Sequence, residues 1–189
     1  MPRVSRNSPL VTMILRDDVQ SDVLRKVKSG EVDFGVVISP FSSDDLLGEP
    51  VMTDSFCLVV RGDHPLAREK AVPWAALTGE PLVMLDYASG SRPIIDVVMQ
   101  KHGIEANVVQ ERGHSATVFG LVEAGVGVSV LPWLALPLPA NSSLVARPLE
   151  PRAERIVELV RRRDRSLSPA AESVWSLIGA LPARAEDLG

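Results

Sequence analysis

The sequence predicts an α/β fold built as two lobes, and three observations carry that reading. A pattern occurs twice: an amphipathic helix ends at a glycine and an apolar strand follows, first over residues 23–30 and 33–40, then over 118–125 and 126–132. Helix-type and strand-type segments alternate along almost the whole chain, the pattern of an α/β protein with mainly parallel sheets. Of the 189 residues 46% are hydrophobic and 23% charged, which suits an ordinary globular protein with enough length for a sizeable core. Each copy reads as a helix packed on a buried strand of parallel type. Two copies imply two lobes, and a cleft between lobes is a common seat for a small molecule.

The elements follow in order. Leu10-Val11-Thr12-Met13-Ile14-Leu15-Arg16 comes after Pro9 and is rich in β-formers, so a strand is expected there. Over residues 19–29, Val19, Val23, Leu24 and Val27 share one helical face. Arg25, Lys26 and Lys28 crowd the end of that helix, where cations suit the dipole, and Gly30 is a natural residue just past it. Residues 34–38 form an unbroken apolar run, the mark of a strand covered on both faces. Two strands, 46–51 and 56–61, are expected around a turn at Thr53-Asp54. Short helical pieces at 65–69 and 73–77 precede a strand at 81–85. A polar loop at 87–93 leads to a helix at 94–102, which Gly103 caps. A strand at 106–111 and a helix at 115–124 come next, then the second strand of the repeat. Pro132, Pro137 and Pro139 make 132–143 a loop. Strands are expected at 144–148 and 155–162. Ser168-Pro169 opens the last helix, with serine as cap and proline at its first position. Ala170, Val174, Leu177, Ile178 and Leu181 form its expected buried face, and residues 182–189 are expected to fray.

Composition excludes several function classes. Aromatic residues make up 4% of the chain, too few for a stacking platform that grips single-stranded nucleic acid. The net charge of −4 opposes direct binding to DNA phosphates. Cys57 is the single cysteine, sits inside an apolar run and reads as a core thiol. One cysteine allows no intrachain disulfide and fits a reducing cytoplasm. The first residues lack the apolar core of a signal peptide, and no stretch approaches the ~18 apolar residues that span a bilayer. A cytoplasmic location is expected.

Ser89-Gly90-Ser91-Arg92 is the leading ligand candidate. It lies at a strand-to-helix junction, where free N–H groups and the positive dipole end favour an anion, and two hydroxyls and a guanidinium add donors. The plainer alternative is a helix cap with a solvated arginine. Gly113-His114-Ser115 is a second such junction, at which Ser115 either caps the helix or turns its hydroxyl to a ligand. Ser39 and Ser129 stand at expected strand ends, where open α/β sheets place ligands. His64, His102 and His114 do not fall into metal-ligand spacing, so no metal and no cofactor are expected. No hydrolase elbow and no dinucleotide fingerprint is present. Arg161-Arg162-Arg163-Asp164-Arg165 reads as a solvated loop.

Three segments together resemble the LysR-type transcriptional regulators. Lys28-Ser29-Gly30-Glu31-Val32-Asp33-Phe34 is similar to the family's turn after a helix. Leu58-Val59-Val60-Arg61-Gly62-Asp63-His64-Pro65-Leu66-Ala67 is similar to its strand leading into "HPLA". The stretch Leu121-Val122-Glu123-Ala124-Gly125-Val126-Gly127-Val128-Ser129-Val130-Leu131-Pro132 matches "V-x-A-G-x-G-(I/V)-x-x-L-P". They keep the family's order and spacing over nearly the whole chain.

The resemblance implies the effector-binding domain: two Rossmann-like lobes joined by two crossover strands, as in type 2 periplasmic binding proteins. It implies lobe I at 1–59 plus 155–189 and lobe II at 60–154. A small, anionic effector would sit in the interlobe cleft, lined by Ser39, Ser89, Gly90, Ser91, Arg92, Ser115 and Ser129. The chain would be a homodimer or higher oligomer, without catalysis and without a membrane. It would reach DNA only through a helix-turn-helix domain absent from this sequence. The family's domain also opens with a strand and a ligand-contacting loop before its first helix, and residues 2–8 read as only the end of that helix, so an N-terminal truncation is expected. Two other readings stand beside this one. A transporter's solute-binding protein would call for an exported leader and an aromatic-rich cleft. An enzyme on a similar scaffold, such as porphobilinogen deaminase or a prephenate dehydratase, would call for a cofactor-bearing cysteine in a loop or a catalytic Thr/Ser set.

Overall fold

A computed structural model describes residues 12–188. In chain order the elements are α1 (Gln20–Ser29), β1 (Phe34–Ser39), β2 (Leu46–Arg61), β3 (Val72–Pro73), β4 (Pro81–Leu85), α2 (Arg92–Lys101), β5 (Asn107–Arg112), α3 (Ser115–Glu123), β6 (Ser129–Pro132), β7 (Leu144–Glu150), β8 (Glu154–Arg162) and α4 (Pro169–Gly179). Single 3-10 turns sit at Pro65–Arg68, Trp74–Leu77, Trp133–Ala135 and Ala185–Leu188. The chain divides into two compact units, one ending at Met52 and resuming over Ile156–Leu188, the other Thr53–Arg155. No helix among the described residues is long and apolar enough to cross a membrane.

In unit 1, α1 seats Val27, fully buried, on β1. Gly35 makes that seat possible, because a Cβ there would lie 2.4 Å from Val23 Cγ1. Gly30 ends α1 at φ +76°, as the sequence implies. β1 runs antiparallel to β8, from Phe34↔Arg161 to Ser39↔Ile156, and β8 is flanked by β2. The expectation of a doubly covered, parallel strand fails here. Among the described residues β1 is an edge strand; its Val36 is 50% exposed, and Val37 is its one buried residue. Gln20 supplies what a neighbouring strand would: its Nε2 donates to Ile38 O (3.1 Å) and its Oε1 accepts from Ile38 N (2.8 Å). Residues 12–16 form no strand and are exposed; residues 2–8, 10 and 11 lie outside the described set. In α4, Ser168 Oγ accepts from Ala171 N as expected. The buried face is nevertheless Ala171, Val174 and Trp175, since the Trp175 indole meets the Phe34 ring edge-on at 5.5 Å. The tail is also held: Ala185 is buried with Met52 and Val157.

In unit 2, β2 pairs antiparallel with β6 and β7, and β7 pairs parallel with β3. β4 and β5 form a parallel pair, and the single parallel bridge Leu82↔Val128 ties β4 to the approach to β6. Sheets are therefore mixed where mainly parallel ones were expected, because β7 and β8 follow loops and a turn instead of helical crossovers. Two strands were expected over 46–61, yet β2 is continuous. The Asp54 carboxylate bonds to distant groups and does not close a local turn. The second copy of the repeat also begins its strand late, at Ser129. Before it, Gly127 passes so near β4 that a Cβ would lie 2.2 Å from Pro81 O. The core gathers Phe56, Leu58, Trp74, Leu82, Ile95 and Met99 between the sheet and α2. A second cluster, with Val59, Val83 and Leu131, lies under α3.

Candidate functional site

β4 and β5 run side by side, so the segments after them emerge at the same end of the pair. After β4, Asp86 Oδ1 accepts from Ala88 N (3.0 Å), Asp86 O from Ser89 N (3.1 Å), and Ser89 Oγ from Ser91 N (3.3 Å). These bonds wind residues 86–91 into a tight loop from which α2 starts at Arg92, two residues earlier than expected. Proline is well tolerated in that first turn. After β5, His114 takes the cap position at φ −126°, so Ser115 is the first helical residue of α3 and not its cap. Asp86 N donates to Arg112 O (3.0 Å), joining the two loops. α2 and α3 thus both start at the C-terminal ends of β4 and β5, the ends where α/β proteins present N–H donors.

The four residues of the first loop have separate fates. Ser89 and Gly90 are half-buried. Ser91 is fully buried, and its Oγ accepts from Arg155 Nη1. Arg92 is 5% exposed and its charge is spent inside the unit. Its Nε donates to Asp96 (2.9 Å), and its Nη1 donates to Leu85 O (2.9 Å) and Glu111 (2.6 Å). The guanidinium lies 4.6 Å from the Tyr87 ring centroid, and Tyr87 in turn donates to Asp96. Burial pushes Arg92 toward losing its proton, but hydrogen bonds to Asp96 and Glu111 outweigh that and hold its pKa above the usual value. Arg92 is therefore the clamp between loop, β4 and β5.

The remaining candidates stand on other elements. Ser39 ends β1 in unit 1, half-buried, as expected. Ser129 opens β6 where it was expected to close a strand; it is fully buried opposite Val59, and its hydroxyl finds no hydrogen-bond partner among the described residues. Cys57 is the core thiol the sequence implies: burial, with Asp54 adding, pushes its pKa up to about 12. His64 accepts from Leu66 N and caps a 3-10 turn, while His102 stacks on Trp74 at 6.2 Å. No group of three metal-ligand side chains occurs among the described residues. The basic run 161–165 is an ion-paired surface, with Arg162 on Asp164 at 2.7 Å.

Sequence reasoning missed Asp54 and Arg155. Asp54 is fully buried. Its Oδ2 accepts from Arg155 Nε (2.8 Å) and lies 2.6 Å from Nη2 as an ion pair, and its Oδ1 accepts from Leu134 N (3.1 Å). Burial lowers the pKa of Arg155, and Asp54 opposes that. The available signal was an ionisable residue inside each of two apolar strands, which globular proteins seldom bury unpaired.

The LysR substrate binding domain family pattern matches residues 1–182. The chain is 49% identical over 173 residues to the uncharacterized HTH-type transcriptional regulator YfeR of Shigella flexneri, covering 92% of this chain and 56% of that protein. It spans about half the length of the curated relatives it matches. Among solved structures, the Synechocystis PCC6803 CcmR regulatory domain in complex with 2-PG superposes with a TM-score of 0.83 at 22% identity, covering 95% of this chain and 89% of that one. The effector binding domain of QuiR in complex with shikimate gives 0.84 at 18% identity, covering 93% and 84%.

Proposed function

We propose an effector-sensing, non-catalytic role for this chain on a plain premise: it belongs to the LysR substrate-binding-domain family. The effector is a small anion, seated in the cleft that the family resemblance implies. On unit 2 its seat is the Ser89-Gly90 turn together with the entry to α3 at Ser115. One observation carries this reading, the start of both α2 and α3 at the C-terminal ends of the parallel pair β4 and β5. Such N–H donors and dipole ends favour a carboxylate, sulfate or phosphate group. The Ser89 hydroxyl already accepts from Ser91 N, which leaves its own proton to donate outward. Arg92 acts by bracing the loop. DNA binding is the task of a helix-turn-helix segment outside this sequence, and the regulator works in the cytoplasm as a dimer or larger oligomer.

The test is a thermal-shift screen with sulfate, inorganic phosphate, shikimate and 2-PG, the last two because the CcmR and QuiR domains carry them. A cognate anion at a hundredfold excess over its Kd stabilises by about 2.7 kcal/mol, a shift of several degrees. Ser89→Ala weakens that response about tenfold, the value of one hydrogen bond to a charged group. Stabilisation by neutral or cationic metabolites, with no response to any anion, overturns the reading.

A further inference from the structure

Arg155 is the last residue of unit 2 before the chain returns to unit 1, and Asp54 is the second residue after it enters. They lie in β8 and β2, which are joined just beyond by the bond from Phe56 N to Ala153 O (3.2 Å). Arg155 therefore joins three elements at once. Nε and Nη2 hold Asp54 on the incoming strand, Nη1 holds the buried Ser91 hydroxyl at the start of α2, and its own backbone belongs to the outgoing strand. Asp54 extends the set through Leu134 N, in the 3-10 turn that follows β6. Ser91 does not cap α2, although serine at that position ordinarily does. Its hydroxyl is taken by Arg155 instead.

We infer that Arg155 is a positioning residue that fastens the Ser89–Ser91 turn to both strands by which the chain enters and leaves unit 2. The functional sense rests on the effector reading of that turn. A group seated at Ser89 and Gly90 shifts Ser91, Ser91 shifts the guanidinium, and the guanidinium moves Asp54 and β8 as one body. Arg92 braces the same turn toward β4 and β5, and Arg155 gives the turn a second path, toward β2 and β8. Nε and Nη2 face one carboxylate oxygen while Nη1 reaches a hydroxyl, a spread of donors that the single ammonium of lysine cannot reproduce.

Hydrogen exchange on the ligand-free protein tests this, comparing wild type, Ser91→Ala and Tyr87→Phe. Ser91→Ala is expected to speed exchange about tenfold at residues 53–57 and 153–157, matching the loss of one charge-assisted hydrogen bond. Amides of β4 and of the last turn of α2 hold their wild-type rates. Tyr87→Phe, which removes a bond of the same turn to Asp96 and leaves the Ser91 and Arg155 bonds in place, leaves both strand segments unchanged. Uniform acceleration across unit 2 in Ser91→Ala means ordinary destabilisation and overturns the inference, as does an unchanged rate at 53–57 and 153–157. No ligand enters the experiment, so its failure is distinct from a failure of the anion screen.

Discussion

Replacing Arg155 by methionine leaves the Asp54 carboxylate in place, fully buried, after removing its Nε hydrogen bond and its ion pair with Nη2. Two opposite charges about 4 Å apart attract by about 4 kcal/mol at the effective dielectric of a protein site. Breaking a buried pair from one side costs about 3–5 kcal/mol, because the surviving charge has lost its solvent and its partner. With an m-value of about 2 kcal/mol/M, Arg155→Met lowers the urea midpoint by about 2 M. Asp54→Leu strands the guanidinium and does the same. The double substitution removes both charges, so the principal cost disappears. What remains is Ser91 Oγ without its donor and Leu134 N–H without its acceptor, about 1 kcal/mol each. The double variant is therefore more stable than either single one. Trp74 fluorescence reports the transition, since that buried indole donates to Pro151 O within the same unit. Two results refute the reasoning: a single variant within about 1 kcal/mol of wild type, or a double variant less stable than both singles. If the single variants do not accumulate, Arg155→Lys keeps the charge and falls between them and wild type.

Alkylation of Cys57 in the native protein at pH 8 runs about a thousandfold slower than in urea, because a rise from 9.0 to about 12 removes that much thiolate; native and unfolded rates within tenfold of each other contradict the burial argument. The unfolded thiol releases its proton at lower pH than the folded one, so this contribution to stability is complete below about pH 9 and is lost as pH rises toward about 12, which urea midpoints across that range will show. Gly127→Ala forces a Cβ against Pro81 O and costs about 1–3 kcal/mol, whereas Gly120→Ala in α3, with open space around it, gains about 0.5–1 kcal/mol; equal effects at the two sites disprove the close-approach argument. Gln20→Leu removes both bonds to Ile38 and costs about 1–3 kcal/mol in unit 1, read from the Trp175 signal, and an unchanged midpoint means that the β1 edge needs no such cover.

Local rules in the sequence were enough for most helix ends and for the family. Gly30 and Gly103 take positive φ after their helices, and Ser168 caps α4, because these choices depend on one or two backbone angles. The repeated glycine-to-strand pattern led to the α/β two-lobe class, and the ordered motifs led to the LysR resemblance that the family match now supports. The loop at Ser89–Arg92 was visible as a strand-to-helix junction because polar, glycine-containing stretches between apolar runs have few other uses.

What tertiary structure alone decided is where each polar group spends its bonds. Arg92 looked free because the partners that engage it, Glu111 and the Leu85 carbonyl, come from β5 and β4. Thr53-Asp54 looked like a turn because Arg155, which holds Asp54 in a straight strand, is 101 residues away. β1 looked buried because an apolar run does not say whether a second strand will lie beside it. Periodicity and caps are short-range properties that a sequence writes directly. Ion pairs, strand neighbours and burial are long-range ones, settled when segments far apart in the chain compete for the same partners.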